Sequence, residues 1–206
     1  MSSDTTDKSA EPEDHGAYRV LARKYRPQTF EDLIGQDPVV QTLANAFKTD
    51  RIAQAYMLTG VRGIGKTTTA RLIARALNYA RDGAEDEGPS VAMPELGVHC
   101  QAILESHHVD VLEMDAASRT GIEDVREIIE SVRYKPVSAR YKIYIIDEVH
   151  MLSTSAFNAL LKTLEEPPAH VKFIFATTEI RKVPVTVLSR CQRFDLRRIE
   201  PEVMIS

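Results

Sequence analysis

Tryptophan is absent from this 206-residue chain, and only Cys100 and Cys191 are cysteines. Two thiols so far apart do not make a disulfide framework, which leaves a reducing compartment, the cytoplasm, as the expected location. Long apolar runs are missing too: none approaches the roughly 18 residues of a membrane span, and the N-terminus lacks the apolar core of a secretory signal. No membrane association is expected. Nor is there a strong excess of one charge. The formal net charge of −4 argues against a free-standing nucleic-acid binder, but it is unevenly placed. Asp4, Asp7, Glu11, Glu13 and Asp14 stand against Lys8 near the N-terminus, so the rest of the chain sums to zero. Global charge leaves the nucleic-acid question open.

A hydrophobic fraction of 43% is enough for one sizeable core. Residues 1–17 are polar and acidic and cannot bury enough apolar surface to order themselves, so they are expected to form a disordered tail before a folded domain over 18–206. Asp37-Pro38 has the form of a helix N-cap with proline at the first helical position, followed by Val40, Leu43 and Phe47 on one face. Tyr56–Leu58 predicts a buried strand, and Ala70, Ile73, Ala74 and Leu77 recur at helical spacing after it. Residues 81–99, rich in Gly, Pro, Asp and Glu, predict a surface insertion. Val109–Met114 predicts a strand. Thr120 and Glu123 then fit a capping box ahead of Val125, Ile128, Ile129 and Val132. Tyr141–Ile146 and Val171–Ala176 predict two further strands. Between them Phe157, Leu160, Leu161 and Leu164 mark a helix stopped by Pro167 and Pro168. Strands that alternate with helices and are apolar almost throughout point to an α/β fold, a parallel sheet covered by helices on both faces. No internal repeat is present.

The stretch Gly60, Val61, Arg62, Gly63, Ile64, Gly65, Lys66, Thr67 has the Gly-x-x-x-x-Gly-Lys-Thr pattern of a phosphate-binding loop. Glycines there let successive backbone N–H groups turn inward around phosphate oxygens. Lys66 adds a point charge for the β- and γ-phosphates, and the Thr67 hydroxyl is suited to Mg²⁺. Thr68 continues the loop into a helix whose N-terminus favours an anion. ATP and Mg²⁺ are the expected ligands.

Lys142–Ile146 reads as a strand that delivers Asp147 and Glu148 at its carboxyl end, the edge where open α/β sheets bind ligands. Asp147 suits Mg²⁺ together with Thr67. Glu148, adjacent yet not needed as a ligand, suits deprotonation of an attacking water. Thr177 and Thr178 close the next strand at the same edge, where a hydroxyl can meet a γ-phosphate or that water. Arg190 follows a short helix starting near Pro184, and an arginine offered to a neighbouring subunit's γ-phosphate is one way to stabilise the transition state.

Several segments in order, Leu21–Phe30, Ile34–Gln36, the loop at Gly60, Met114–Arg119, Ile146–Leu152, Ala159–Pro168 and Leu188–Cys191, resemble the gamma/tau subunit family of bacterial DNA polymerase III. Those subunits are the AAA+ ATPase motors of the clamp loader. The resemblance implies a P-loop NTPase fold of the AAA+ class, with Gly60–Thr67 holding the triphosphate, Asp147 serving Mg²⁺ and Glu148 acting as base. Thr178 matches the position that senses the γ-phosphate, and Arg190 the arginine finger that completes a neighbour's site. Tyr25, Arg26 and Pro27 would lie along the adenine, and Ser118-Arg119 on the face turned toward DNA. It further implies partners: same-type copies, delta and delta-prime subunits, the sliding clamp and primer-template DNA.

Two departures stand out. Family members carry four cysteines after the phosphate-loop helix in a small zinc module, whereas this region retains Cys100 alone, so a metal-free loop is expected. A helical lid and an oligomerising collar do not fit in 206 residues, so an assembly-deficient fragment of the motor is an alternative. Two other classes stay open: a non-hydrolysing partner like delta-prime, and a branch-migration helicase motor. No polymerase active site is recognisable.

Overall fold

The computed structural model describes residues 27–198. The expected tail over 1–17, Tyr25 and Arg26 lie outside the described residues. Five strands, β1 (Ala55–Thr59), β2 (Val111–Asp115), β3 (Lys142–Asp147), β4 (Val171–Thr177) and β5 (Gln192–Asp195), form one sheet in the order β2-β3-β4-β1-β5. Every pairing is parallel. Among the described residues six α-helices connect and flank them: α1 (Asp37–Lys48), α2 (Lys66–Leu77), α3 (Cys100–Leu104), α4 (Ile122–Ser131), α5 (Thr154–Glu165) and α6 (Val185–Leu188).

Alternation along the strands sorts the core into two layers. Tyr56, Leu58, Ile143, Ile145, Ile174 and Ala176 face one side and pack on Val39 and Leu43 of α1, Leu72, Ile73 and Leu77 of α2, and Ile103 of α3. Ala55, Met57, Tyr144, Ile146, Phe173 and Phe175 face the other side and pack on Val125 of α4, Phe157, Leu160 and Leu164 of α5, and Val187 of α6. Strands buried on both faces must be apolar at nearly every position, which is why β1, β3 and β4 read as continuous hydrophobic runs. The expected doubly covered parallel sheet is what forms.

Local details differ from expectation. Gln36, not Asp37, holds the N-cap position of α1 and has no side-chain cap bond there. Its amide instead donates to the Arg197 carbonyl at 2.9 Å, across to the chain following β5. Helix α4 starts one residue later than the Thr120 capping box predicts. Gly121 takes the N-cap, and its N–H donates to Asp124 at 3.3 Å. Strand β5 and helix α3 carry no periodic signal in the sequence, both being short and β5 largely polar. The segment after α2 has no helix or strand before α3, but it is not all surface: Met93 returns to the core at 8% exposure. No helix among the described residues is long and apolar enough to cross a membrane.

Candidate functional site

Parallel strands bring their carboxyl ends to one edge, and that edge carries the chemistry. Thr59 pairs with Thr177 across β1 and β4, and Asp115 with Asp147 across β2 and β3. The loop leaving β1 runs directly into α2. Gly63 and Gly65 have φ of 80° and 97°, a region that side chains other than glycine's rarely enter. A Cβ placed on either would meet nothing within 4 Å, so the space before the loop is open. At Gly60 the constraint is contact: a Cβ there would come within 3.0 Å of Ile64 Cγ2 and 3.2 Å of the Leu196 carbonyl. Helix α2 begins at Lys66 without a side-chain cap and with no acid in its first turn. Its first N–H groups and the positive end of its dipole are thus left for an external anion.

Lys66 is 6% exposed, and its ammonium folds back to donate to the carbonyls of Gly60 at 2.9 Å and Val61 at 3.0 Å. The charge closes the loop on itself. Thr67 leaves the start of α2 and donates its hydroxyl to Asp147 Oδ2 at 2.6 Å, while Oδ1 of Asp147 accepts from the Glu148 N–H at 2.9 Å. Two hard oxygen ligands from residues 80 apart in sequence are therefore adjacent, a donor set that suits a small divalent cation. Open loop, uncapped helix and paired oxygens fit a magnesium-bound triphosphate, whose phosphates the loop would hold and whose ion Thr67 and Asp147 would hold.

Glu148 sits at φ 48°, ψ 44°, a left-handed conformation that costs a non-glycine residue about 1 kcal/mol or more and marks a site held by its surroundings. Its Oε2 accepts from the Thr178 hydroxyl at 3.0 Å and lies 3.4 Å from His150 Nδ1. Thr177, fully buried, meets His150 Nδ1 at 2.8 Å. The two threonines thus hold neighbouring members of one cluster, Thr178 the Glu148 carboxylate and Thr177 the histidine beside it. His150 lies within the Ile146–Leu152 segment, and its only local signal is a polar side chain two residues after the paired acids.

Arg190 does not join this cluster. It follows α6 and donates to the Thr186 carbonyl at 2.5 Å and to Glu165 of α5 at 2.9 Å. Burial beside it pushes the Cys191 thiol up to about 12, so this cysteine stays an unreactive thiol at neutral pH. Ser118 and Arg119 are exposed in the turn after β2, where Ser118 bonds Asp115 at 3.0 Å. Pro27 lines a cleft of about 610 Å³ with Gln28, Arg71, Gln101, Glu105 and His107, and residues 60–68 are not part of that lining. Among the described residues no group of three or more His, Cys, Asp or Glu is placed to hold a metal. His99 and His108, beside Cys100, bond to each other at 2.9 Å.

The parallel sheet and its loop-to-helix edge define a P-loop NTPase fold of the AAA+ class. Solved structures agree. A DNA polymerase III gamma subunit-related protein of Thermotoga maritima superposes with a TM-score of 0.50 at 20% identity, covering 80% of this chain and 47% of that one. The RuvB Holliday junction branch migration motor of the same organism gives 0.54 at 18%, covering 84% and 48%. At such identities the likeness concerns the fold alone. A family model described as DNA polymerase III, delta subunit, matches residues 35–200, and the chain belongs to that family.

Curated relatives are far closer in sequence. The chain is 50% identical over 190 residues to DNA polymerase III subunit tau/gamma of Haemophilus influenzae, covering 92% of this chain and 27% of the relative. It is 50% identical over 186 residues to DNA polymerase III subunit tau of Escherichia coli, covering 90% and 28%. Against subunit gamma of Buchnera aphidicola it is 49% identical over 185 residues, covering 90% and 50%. The chain spans half or less of the length of these relatives.

Proposed function

We propose that this chain is the ATPase motor subunit of a DNA polymerase III clamp loader, which uses ATP to load the sliding clamp onto primed DNA in the cytoplasm. Its partners in this reading are same-type copies, delta and delta-prime subunits, the clamp and primer-template DNA. The observation that carries it is the convergence at one sheet edge of Thr67 with Asp147 and of Thr178 with Glu148, before an open phosphate loop. The relatives at about 50% identity, tau/gamma and tau subunits of DNA polymerase III, support the replication setting.

In this reading Gly60–Thr68 bind the triphosphate through backbone N–H groups, and Lys66 exchanges its two loop carbonyls for phosphate oxygens. Thr67 and Asp147 would hold Mg²⁺, which when bound would supply charge neutralisation on the phosphates. Glu148 orients a water and takes its proton, and Thr178 moves between the Glu148 carboxylate and a phosphate oxygen. Arg190 leaves Glu165 to reach a neighbouring subunit's nucleotide, so turnover requires assembly. Pro27 and the preceding residues contribute to the adenine side, and Arg119 to the DNA face. The complete loop together with Glu148 sets the motor apart from a non-hydrolysing partner. The likeness to RuvB extends only to the fold.

The test combines nucleotide binding with hydrolysis measured against protein concentration, with Mg²⁺ and primed DNA present. Lys66→Ala should weaken binding; Glu148→Gln should bind normally and not turn over; Arg190→Ala should lose the concentration-dependent part of the rate. ATP binding untouched by Lys66→Ala would refute the pocket.

A further inference from the structure

We propose that His150 is the positioning residue for the Glu148 carboxylate, with Thr177 as its anchor; this rests on the reading of Glu148 as the base. The His150 side chain is only 5% exposed, so its two ring nitrogens must find partners within the protein. Nδ1 lies 2.8 Å from Thr177 Oγ1 and 3.4 Å from Glu148 Oε2, and Nε2 lies 3.8 Å from Glu179 Oε1. Thr177 Oγ1 is itself fixed, because it accepts the Glu179 N–H at 3.0 Å. A lone pair on Nδ1 would face the carboxylate oxygen at 3.4 Å and repel it. The proton therefore belongs on Nδ1, shared between the Thr177 hydroxyl oxygen and Glu148.

The backbone is shaped for this contact. Glu148 turns left-handed, and Val149–Met151 then form a single 3-10 turn in which the Met151 N–H bonds the Glu148 carbonyl at 2.9 Å. That reversal brings the ring of His150 back onto the carboxylate two residues earlier. Thr178 donates to the same oxygen, Oε2, at 3.0 Å. Once Thr178 turns to a phosphate, His150 is the side-chain donor left beside Oε2 among the described residues. It then fixes the direction in which the base presents its oxygens. A carboxylate misplaced by about 1 Å loses roughly a hundredfold in rate, whereas nucleotide affinity, set by the loop, is untouched.

The side-chain amides of asparagine and glutamine separate a positional role from a packing one. His150→Asn retains an N–H donor where Nδ1 stood; His150→Gln places its donor nearer Nε2. In the assembled, ATP-hydrolysing protein, ATP affinity is measured with a fluorescent analogue and turnover in single-turnover mode. His150→Ala and His150→Gln should bind ATP within about twofold of the unsubstituted protein but turn over about tenfold or more slowly, while His150→Asn stays within about threefold. Thr177→Val, which removes the anchor, should slow turnover and leave affinity unchanged. Equal rates for the Asn and Gln variants would overturn the proposal, as would wild-type turnover in His150→Ala. If the alanine variant does not fold, the Asn/Gln pair decides. Glu148→Gln, run alongside, separates the two claims: if it keeps full turnover the base assignment fails and this inference with it, and if it is dead while His150→Ala is fully active only this inference fails.

Discussion

Asp110, just ahead of β2, is 1% exposed and ties down the loop that leads to β3 and its two acids. Its Oδ1 accepts the Val137 N–H at 2.7 Å, and Oδ2 accepts the N–H groups of Ser138 and Ala139, each at 2.8 Å, as well as the Ser138 hydroxyl at 3.2 Å. Asp110→Ala leaves three backbone donors without an acceptor. Because Val137 and Ser138 are exposed, water recovers part of the loss, and about 1 kcal/mol per donor gives a destabilisation of about 3 kcal/mol. Asp110→Asn keeps an oxygen for Ser138 and Ala139 but points an NH₂ group at the Val137 N–H, for about half that cost. Burial pushes the Asp110 carboxyl up, but the donors outweigh it and hold the group below the usual carboxylate range. A depressed folded-state value contributes stability that is complete above about pH 4 and is lost as pH falls through the folded value. Urea unfolding followed by circular dichroism tests both parts. The gap between the native protein and Asp110→Asn should be plain at pH 7 and shrink below about pH 4. A gap under about 0.5 kcal/mol at pH 7, or one that stays constant into strong acid, would refute the reasoning.

Two further outcomes follow from the packing around α3. The Asp110 N–H donates to His108 Nδ1 at 3.0 Å, so His108 carries its proton on Nε2 and gives that bond to His99. Burial lowers both histidines, with mutual repulsion adding to it at His108, so neither accepts a proton as readily folded as unfolded. Stability should therefore fall as pH drops through about 6.5 and level off below the folded values. His99→Asn, whose carbonyl can accept the same bond, should flatten that slope in urea titrations between pH 7.5 and 5.5; an unchanged slope would count against the pair. Gly97 is crowded: a Cβ there would meet the Ala80 carbonyl at 2.7 Å and the Tyr79 ring at 3.0 Å, whereas at Gly121 nothing comes nearer than 3.4 Å. Gly97→Ala should cost about 1–3 kcal/mol and Gly121→Ala under about 1, read by thermal unfolding. Equal losses would show that the contact yields freely.

What the amino-acid order determined by itself was local. The Gly-x-x-x-x-Gly-Lys-Thr pattern, the apolar runs of β1, β3 and β4, and the helical spacing of Ala70, Ile73 and Leu77 were legible because backbone sterics and face periodicity depend on near neighbours. The same locality explains the misses. The cap of α4 moved by one residue, β5 was too short and polar to declare itself, and Gln36 gave up capping for a partner 161 residues away. Only the tertiary structure decided the strand order that sets β3 beside β4, and with it which side chains meet. Thr67 finds Asp147, Thr178 finds Glu148, and Thr177, one residue earlier, turns to His150 instead. Those partnerships come from sheet register and the left-handed turn at Glu148, both settled by packing among residues far apart in the chain.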